Sequence, residues 1–481
     1  MQVTKMYKIP SKQLTFEDFD QPVGMKLDPK NRWVKKAELI PWTEIESEYA
    51  KLFKGIKGHV AISARMALGA LLIQTEYGYS DQETVEQIQE NPYLQFFCGL
   101  PGYKYERPFD ASVMVRFRKR LSADKLAQIN EHIIRKAEAS KKEKDDDDRK
   151  NQPPKNHGTM IVDATCAPSQ IKYPRDTELL NEAREKLEQM VAGLHDSANG
   201  RKPRMYQKIA RKQYLSIARS KRNSAKKIRK ANRQQLQYIR RDLGIVRMLL
   251  EKGGKLSKSQ DAQLQVIENL YEQQKYMYEN HVHSVKDRIV NLRQPYLRPI
   301  VRGKAKAPVE FGAKLDISVV NGMVRLEKQS FDAYNESELL EREIENYEQR
   351  YGCYPERVLA DKIYRNRKNL SYCKEHGIRL SGPALGRPKK GVAVDKKAEY
   401  EDICERVEVE RAFSLGKRKF SLGQIRTYLQ ETTQTVIALS ILALNLSRVL
   451  RASILKMVHN LWHVLFGSLK WSYQKKLAFE Q

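Results

Sequence analysis

A short apolar segment that contains an acid is the feature that most constrains the fold. Thr159–Thr165 (TMIVDAT) is rich in apolar and β-branched residues, as expected of a central strand, yet it includes Asp163. A second such segment, Arg357–Asp361 (RVLAD), ends in Asp361. A carboxylate in an apolar strand is costly unless it is paired or bound to a metal ion. The two segments therefore predict an α/β sheet that carries two acids in need of partners.

A long polar segment separates the two strands. Thr177–Asn291 has a helical pattern, and within it Arg201–Arg241 contains sixteen Lys and Arg residues but no Asp or Glu. Gly253–Gly254 divides the segment, which predicts an antiparallel hairpin of two helices, Lys202–Lys252 and Ser257–Arg288. The hairpin either contacts DNA phosphates or has a solvated or dimerising surface. The absence of acids favours phosphate contact, because a merely solvated helix usually mixes charges of both signs.

Strand and helix patterns alternate after this insertion. Lys314–Val320 and Met323–Phe331 have strand character on either side of Asn321 and Gly322, a dipeptide typical of a hairpin turn. A further short strand is predicted at Ile378–Ser381. Helices are predicted at Glu336–Gln349, Asn366–Glu375, Glu401–Leu415 and Leu422–Leu450. This order predicts a mixed α/β sheet covered by helices.

The first 140 residues have mostly helical patterns. Ile62–Tyr77 has apolar residues at helical spacing and ends at Gly78, after which Ser80 and Glu83 form a capping box that starts a second helix. A third helix is predicted at Ala111–Leu121, and its basic residues are Arg116, Arg118, Lys119 and Arg120. The arrangement is typical of a helix-turn-helix pair with a basic helix that faces DNA. The alternative is a solvated basic face.

Composition shifts mark the boundaries between these parts. Lys141–Pro154 is charged, ends in proline and has little to bury, so it predicts an exposed linker. The predicted parts are an all-α N-terminal domain at 1–140, the linker at 141–156, an α/β domain at 157–450 with the helical insertion at 177–291, and a helical tail at 451–481. The apolar run Val436–Leu446 is shorter than the ~20 residues that span a bilayer, so a buried helix is predicted there.

The net charge indicates the class of partner. Lys and Arg outnumber Asp and Glu by 88 to 59, which gives a formal charge of +29 and favours a polyanion such as nucleic acid. Ribosomal, histone-like and membrane-surface proteins are basic too, so charge alone does not separate an enzyme from a binding protein. The five cysteines lack CxxC spacing, which argues against a zinc site or a disulfide framework and fits a reducing cytoplasm. Residues 1–14 lack the apolar core of an export signal.

Carboxylates on strands suit one chemistry in particular. Two divalent cations about 4 Å apart can activate an attacking oxygen and stabilise a leaving oxygen in phosphodiester cleavage. Mg²⁺ prefers oxygen ligands, so two or three Asp or Glu side chains from separate elements would hold it. The alternative is that Asp163 and Asp361 are strand-end acids satisfied by the abundant Arg and Lys. Two such acids in one α/β domain, with a Glu on a following helix, favour the metal site.

Several segments together resemble a known family, the DDE transposases of bacterial insertion sequences in the InsH-like branch. The resemblance covers nearly the whole chain. SARMALGALLIQTEYGYSDQETVEQIQENPYLQFFCGL and FDASVMVRFRKRL resemble that branch's N-terminal domain, and VDATCAPSQIKYPRDTELL resembles its first-Asp segment. LADKIYRNRKNLSYCKEHGIRLSGPALGRP resembles the second-Asp segment, and RVEVERAFSLGKRKFSLGQIRTYLQETTQTVIALSILALNL resembles the Glu segment.

The Glu segment matches the wider family's Tyr, Arg, Glu, Lys signature in part. Arg406, Glu410 and Lys417 have the required spacing, but Ile403 stands where Tyr is expected. Helical geometry places Glu410 on one stripe, whose members are Ile403, Val407, Glu410, Phe413 and Lys417. Glu405 and Glu408 remain competitors for the role of third acid.

The resemblance implies a function and a set of site residues. It implies a ribonuclease-H-like core in which Asp163, Asp361 and Glu410 are catalytic and bind two Mg²⁺ ions, with Mn²⁺ as a substitute. The partners implied are double-stranded DNA, as terminal inverted repeats and target, and a second copy of the chain in a synaptic complex. A bacterial cytoplasmic, nucleoid-associated location is expected. Neighbours of the acids that are expected to contact DNA are Thr165, Tyr364, Arg365, Arg367, Arg406 and Lys417.

Two other classes of function compete with this interpretation. One is a transposase-derived DNA-binding protein whose chemistry has been lost, against which the presence of Asp163, Asp361 and Glu410 argues. The other is a structural or RNA-binding basic scaffold, which leaves the acids unexplained and predicts that replacing them changes no activity.

Overall fold

The structure is a computed structural model that describes most of the chain. The described residues are 3–4, 7–8, 15–21, 24, 26–53, 60–142, 156–195, 201, 203–301, 309–382, 385 and 396–453. The predicted linker lies outside them from residue 143 to residue 155, and so does the predicted tail beyond Ser453.

The N-terminal region is helical apart from one short strand pair. Its strands are β1 (Val3–Thr4) and β2 (Tyr7–Lys8), and its helices are α1 (Arg32–Leu39), α2 (Trp42–Ala50), α3 (Ala64–Tyr77), α4 (Asp81–Glu90), α5 (Pro92–Phe97), α6 (Val113–Arg120) and α7 (Ala123–Lys142). Gly78 ends α3 in the left-handed conformation, and Ser80 and Glu83 form both bonds of the capping box that starts α4. The predicted helix pair and its cap are therefore confirmed.

A six-stranded mixed sheet forms the centre of the remaining chain. Its strands are β3 (Thr159–Pro168), β4 (Arg298–Val301), β5 (Val309–Val320), β6 (Met323–Ser330), β7 (Arg357–Leu359) and β8 (Arg379–Leu380). The order is β4-β5-β3-β7-β8, with β6 paired to the second half of β5. Strands β3, β7 and β8 are parallel to one another, whereas β5 runs antiparallel to β3, β4 and β6. The mixed α/β sheet is confirmed, and β4 is a strand that the sequence did not reveal.

The hairpin between β5 and β6 has the turn that the sequence predicts. Asn321 and Gly322 both have positive φ, 52° and 81°, as a two-residue type I′ turn requires. The register pairs Val320 with Met323 directly across the turn. Asn-Gly therefore fixes which residues of the two strands face each other.

Helices cover both faces of the sheet. They are α12 (Leu340–Tyr351), α13 (Arg367–Glu375), α14 (Lys396–Lys419) and α15 (Gln430–Ser453). On one face, Met160, Val162 and Val358 form a core with α12 and α13. On the other face, Ile161 and Leu359 join α14, α15 and the N-terminal helices in one continuous core. The N-terminal region is therefore packed against the sheet rather than separated from it.

The insertion between β3 and β4 has a core of its own. It consists of α8 (Asp176–Leu194), α9 (Gln207–Ala218), α10 (Ala225–Glu251) and α11 (Lys258–Asn280), whose apolar residues form a separate buried cluster. The prediction of one helix over Lys202–Lys252 is wrong, because residues 219–224 form a break. Ser224 caps α10 by accepting a hydrogen bond from the Lys227 amide.

Helix α15 is apolar enough to cross a membrane by length and composition, but 78% of its most apolar window is buried inside the molecule. The predicted buried helix at Val436–Leu446 is thus confirmed. Asn445, within this segment, is fully buried. Its side chain accepts a hydrogen bond from the Val324 amide at 2.9 Å and donates one to Asn130 Oδ1 at 2.8 Å. These bonds join α15 to β6 and α7, and so connect the sheet to the N-terminal helices.

Candidate active site

Two aspartates lie side by side on neighbouring parallel strands. The register pairs Ile161 of β3 with Leu359 of β7, and Asp163 and Asp361 each come two residues later. Adjacent strands lie about 5 Å apart, so extending this register places both acids at the carboxyl end of β7 and on one face of the sheet. The register puts the two acids at the ends of neighbouring strands, and their joint role in one site stays a prediction.

Local structure orients both carboxylates. Strand β7 ends at Leu359, and Asp361 caps the 3₁₀ turn Lys362–Tyr364 by accepting the Lys362 amide at 2.7 Å. Asp163 remains within β3, is half-buried, and accepts the Ala164 amide at 2.8 Å. The side chain of Asp361 is 52% exposed. At least one of the two acids therefore opens to solvent, where a charged substrate can approach.

Helix α14 brings a third acid to this face. Val409 and Ala412 of α14 pack in the same core as Ile161 and Leu359. This packing holds Glu410, one residue away, at the rim of the sheet with its side chain 63% exposed. Arg406 lies one turn earlier and joins two of the acids, with its guanidinium 3.4 Å from Asp361 Oδ1 and 4.0 Å from Glu410 Oε1.

The two competing glutamates of α14 are engaged elsewhere. Glu405 forms a two-pronged ion pair with Arg357 at the start of β7, with both N–O distances 2.7 Å. Glu408 lies 3.6 Å from Arg448 of α15, beside the β5–β6 turn. Of the three candidates, Glu410 is the one connected to Asp361, which favours it as the third acid.

The donor chemistry of the site fits a hard divalent cation. Asp163, Asp361 and Glu410 offer only carboxylate oxygens, the ligands that Mg²⁺ prefers. A positive group, the Arg406 guanidinium, lies within 4.0 Å of a carboxylate oxygen of both Asp361 and Glu410. Across the described part of the chain, no three His, Cys, Asp or Glu side chains are gathered closely enough to hold a metal ion. Side-chain rotation at Asp361 and Glu410 is therefore needed to bring the oxygens together.

The opposite face of the sheet carries acids that the sequence did not single out. Asp316 of β5 pairs across the sheet with Ala164 and is fully buried, as is Glu343 of α12. Tyr364, at the end of the Asp361 turn, donates its hydroxyl to Asp316 Oδ1 at 3.2 Å. Burial raises the pKa of Asp316 to about 7, and burial followed by repulsion from Asp316 raises the pKa of Glu343 well above its usual range. The helical pattern of α12, with Glu343 beside Ile344, was the signal available in the sequence.

The basic residues predicted on the third helix divide into two groups. Arg116 and Lys119 of α6 are exposed. Arg118 is buried, where it donates to Gln74 at 2.8 Å and pairs with Asp81 of α4, and Arg120 stacks on the Phe53 ring at 4.7 Å. Arg118 and Arg120 therefore have structural roles that the sequence does not reveal.

The neighbours of the aspartates divide in the same way. Thr165 and Tyr364 are buried, and Arg365 donates to the carbonyl oxygens of Leu380 and Ser381 at 2.7 and 2.8 Å. Burial of Thr165 and Tyr364 leaves little surface for the predicted DNA contacts, and the two bonds of Arg365 join the segment after Asp361 to β8 and Ser381. Arg367 is exposed, and Lys417 is partly exposed near the end of α14.

Comparison with protein families now places the chain. Residues 358–447 match the family model "Transposase DDE domain", and residues 22–120 match "Transposase domain (DUF772)". Both matching models describe transposase domains. The resemblance to DDE transposases is thus confirmed, and it implies a DNA substrate. The DDE match begins after β3, so it contains Asp361 and Glu410 but not Asp163.

One curated relative is similar to part of the chain and has no stated function. Over 161 residues the chain is 29% identical to "Uncharacterized protein ORF8 in nfe locus" of Rhizobium meliloti. This alignment covers 34% of the present chain and 73% of the rhizobial protein. No solved structure matched the chain.

Proposed function

We propose that this transposase cleaves DNA at the terminal inverted repeats of its mobile element and transfers the freed strands into target DNA. The observation that carries the proposal is the meeting of Asp361 and Glu410 at Arg406, with Asp163 on the adjacent strand of the same face. Carboxylates from three separate elements on one open face are what metal-dependent phosphoryl transfer needs. The sheet, with its antiparallel hairpin and two further parallel strands, supports a ribonuclease-H-like core.

Each residue of the site has a part in the proposed chemistry. Asp163, Asp361 and Glu410 would hold two Mg²⁺ ions, or Mn²⁺ in their place. Bound divalent cations supply activation of the attacking oxygen and stabilisation of the leaving oxygen. Arg406, displaced from the acids when they take up cations, would turn its planar guanidinium to a DNA phosphate. Lys417, two turns further along α14, lies in position to contact a neighbouring phosphate.

The remaining parts of the proposal concern organisation. The N-terminal region up to residue 140 would bind the element's ends, with Arg116 and Lys119 as its exposed cations on α6. The α/β region 157–450 would carry the chemistry. Two ends must be brought together for transfer, so the working form would be a homodimer or a larger synaptic complex in a bacterial cytoplasm.

The test uses a supercoiled plasmid that carries the element with its native flanking DNA. Wild-type protein with Mg²⁺ is expected to nick at the element's ends, and Asp361→Asn is expected to bind the same DNA without nicking it. Glu408→Gln is the matched control, because its partner Arg448 lies away from the site, and it should nick normally. If wild type binds but does not nick with Mg²⁺ or Mn²⁺, the protein is a DNA-binding relative whose chemistry has been lost.

A further inference from the structure

The insertion presents a row of cations that the proposed chemistry does not use. Lys226, Lys230, Arg233 and Arg240 are spaced so that they follow one face of α10, and all four are exposed. We refer to these four side chains as the α10 stripe. At 1.5 Å per residue it is about 21 Å long. Gly244 continues the stripe, and no atom lies within 4 Å of the position where its Cβ would be.

The four cations of the α10 stripe have no ion pair with an acid among the described residues. Within the parts of the insertion that the structure describes, ion pairs to a carboxylate within 4.0 Å involve Arg184, Arg247 and Arg288 but no member of the α10 stripe. The stripe ends where Arg247 pairs with Glu268 of α11 at 2.8 Å. Its charge is therefore available to an external anion.

Aromatic rings take the place of acids in orienting the nearby arginines. Arg204 and Arg241 lie over the Tyr206 ring, at 4.7 and 4.6 Å from its centre, and Arg229 lies over Tyr278 at 4.1 Å. The face of an aromatic ring orients a guanidinium and leaves its positive charge intact, whereas a carboxylate would cancel that charge. The region is thus built to keep a high positive potential on a fixed scaffold.

The insertion leaves the sheet near the catalytic acids. It follows β3, whose last residue, Pro168, lies five residues beyond Asp163, or about 17 Å along the strand. It returns through β4, which pairs with β5 at Gly312, directly opposite Pro168. DNA held at the carboxyl end of the sheet would therefore pass close to the base of the insertion within about five base pairs.

We infer that the α10 stripe binds the phosphate backbone of duplex DNA. This inference rests on the proposed function and adds a second contact surface to it. Regularly spaced cations along one helix match the regular charge of duplex DNA and give affinity without sequence preference. A dimer interface would require an apolar or charge-balanced face, whereas the exposed residues along this face from 226 to 240 are the four cations and Gln237, with no acid among them.

The test compares two charge-matched variants of the full chain. Lys226→Gln, Lys230→Gln, Arg233→Gln and Arg240→Gln are combined in one variant. The control variant combines Lys252→Gln, Lys255→Gln, Lys258→Gln and Lys286→Gln, which are exposed residues of the same insertion outside the stripe. Affinity for a 30-base-pair duplex of arbitrary sequence is measured by fluorescence anisotropy across a range of salt concentrations, and circular dichroism checks that both variants fold.

The stripe variant is expected to lose roughly three to four units of the slope of log affinity against log salt, since each phosphate contact contributes about 0.9. The control variant should lose about one unit or less. Equal losses in the two variants would overturn the inference, and so would an unchanged slope with altered sedimentation, which would indicate a dimer interface. Nicking by wild type is measured separately. If the stripe variant binds DNA more weakly but wild type never nicks DNA, the proposed chemistry is refuted and the inference about the α10 stripe still holds.

Discussion

The two faces of the central sheet carry acids of opposite character. On the α14 face, Asp361 and Glu410 are exposed and share an arginine. On the α12 face, Asp316 and Glu343 are buried against each other, and burial raises the pKa of both. Exposed carboxylates are open to a cation from solvent, whereas burial of Asp316 and Glu343 favours the protonated form of these two acids. Burial, rather than the mere presence of acids on strands, thus distinguishes the face of the proposed active site from the opposite face.

The largest expected effect is on nicking activity, when Glu410 on the α14 face is changed to glutamine. We expect a roughly thousandfold loss of nicking, equivalent to about 4 kcal/mol in activation free energy, because a cation ligand is lost. The urea midpoint of unfolding should stay the same, since the side chain is exposed. Glu405→Gln, which breaks the ion pair with Arg357, should instead lower stability slightly and spare activity. A thousandfold loss in Glu405→Gln with normal activity in Glu410→Gln would reverse the assignment.

The buried face should be recognisable from the pH dependence of stability. Because the folded-state pKa of Asp316 is raised to about 7, its contribution is fully present below about pH 4 and is lost as pH rises through 7. Asp316→Asn should therefore flatten the fall in unfolding free energy between pH 5 and pH 8, and raise stability at pH 8 by about 1–3 kcal/mol. Chemical denaturation at several pH values measures this.

Glu345→Gln provides the control for that experiment, since Glu345 is an exposed acid on the same helix α12 as Glu343. It should leave the pH profile unchanged. If Asp316→Asn has the same steep profile as wild type, the buried pair is not the cause of the pH dependence.

A smaller effect on stability is expected from removing the hydroxyl of Tyr364, which lies at the end of the Asp361 turn and donates to Asp316 on the opposite face. Tyr364→Phe removes the donor to Asp316 and should cost about 1–2 kcal/mol of unfolding free energy. Because Tyr364 ends the turn that Asp361 caps, nicking should fall several-fold while DNA affinity is kept. Tyr372→Phe on α13, whose hydroxyl has no hydrogen bond among the described residues, should change stability by less than about 0.5 kcal/mol. An equal loss of unfolding free energy in Tyr364→Phe and Tyr372→Phe would show that the hydrogen bond from Tyr364 to Asp316 does not stabilise the fold.

The smallest effect concerns the arginine of the exposed face. Arg406→Gln removes a cation that competes for Asp361 and Glu410, so Mg²⁺ should bind about three- to fivefold more tightly, or about 1 kcal/mol. Arg411→Gln, an exposed change of the same charge on α14, controls for net charge. Isothermal titration calorimetry with Mg²⁺ compares the two. Weaker Mg²⁺ binding in Arg406→Gln would show that the arginine supports the site rather than competing for it.

Much of the sheet could be predicted from short patterns. The acids in TMIVDAT and RVLAD identified β3 and β7, and Asn321-Gly322 identified the hairpin, because each of these signals is local. The choice of Glu410 came from a family spacing, and its connection to Asp361 through Arg406 became visible only in three dimensions. Burial of Arg118 against Asp81 depends on the packing of α6 on α4, which no local pattern specifies.

Non-local features were missed for the same reason. Strand β4 is short and becomes a strand by pairing with β5, so its own four residues give little signal. The break between α9 and α10 contains Ser220, Asn223 and Ser224, which favour caps and turns, but it was missed because Lys and Arg, good helix formers, are frequent on both sides of it. The buried pair Asp316 and Glu343 lies 27 positions apart in the chain and meets only through the fold.

One consequence follows from the core that the N-terminal helices share with the sheet. Helix α7 is joined to β6 and α15 by Asn130 and Asn445, so DNA bound by the N-terminal helices, as proposed above, would be held at a fixed position relative to Asp361 and Glu410. The proposed cut should therefore fall at a constant distance from the DNA sequence that the N-terminal helices contact. Lengthening that offset by about five base pairs, half a helical turn, would carry the scissile bond to the far side of the duplex.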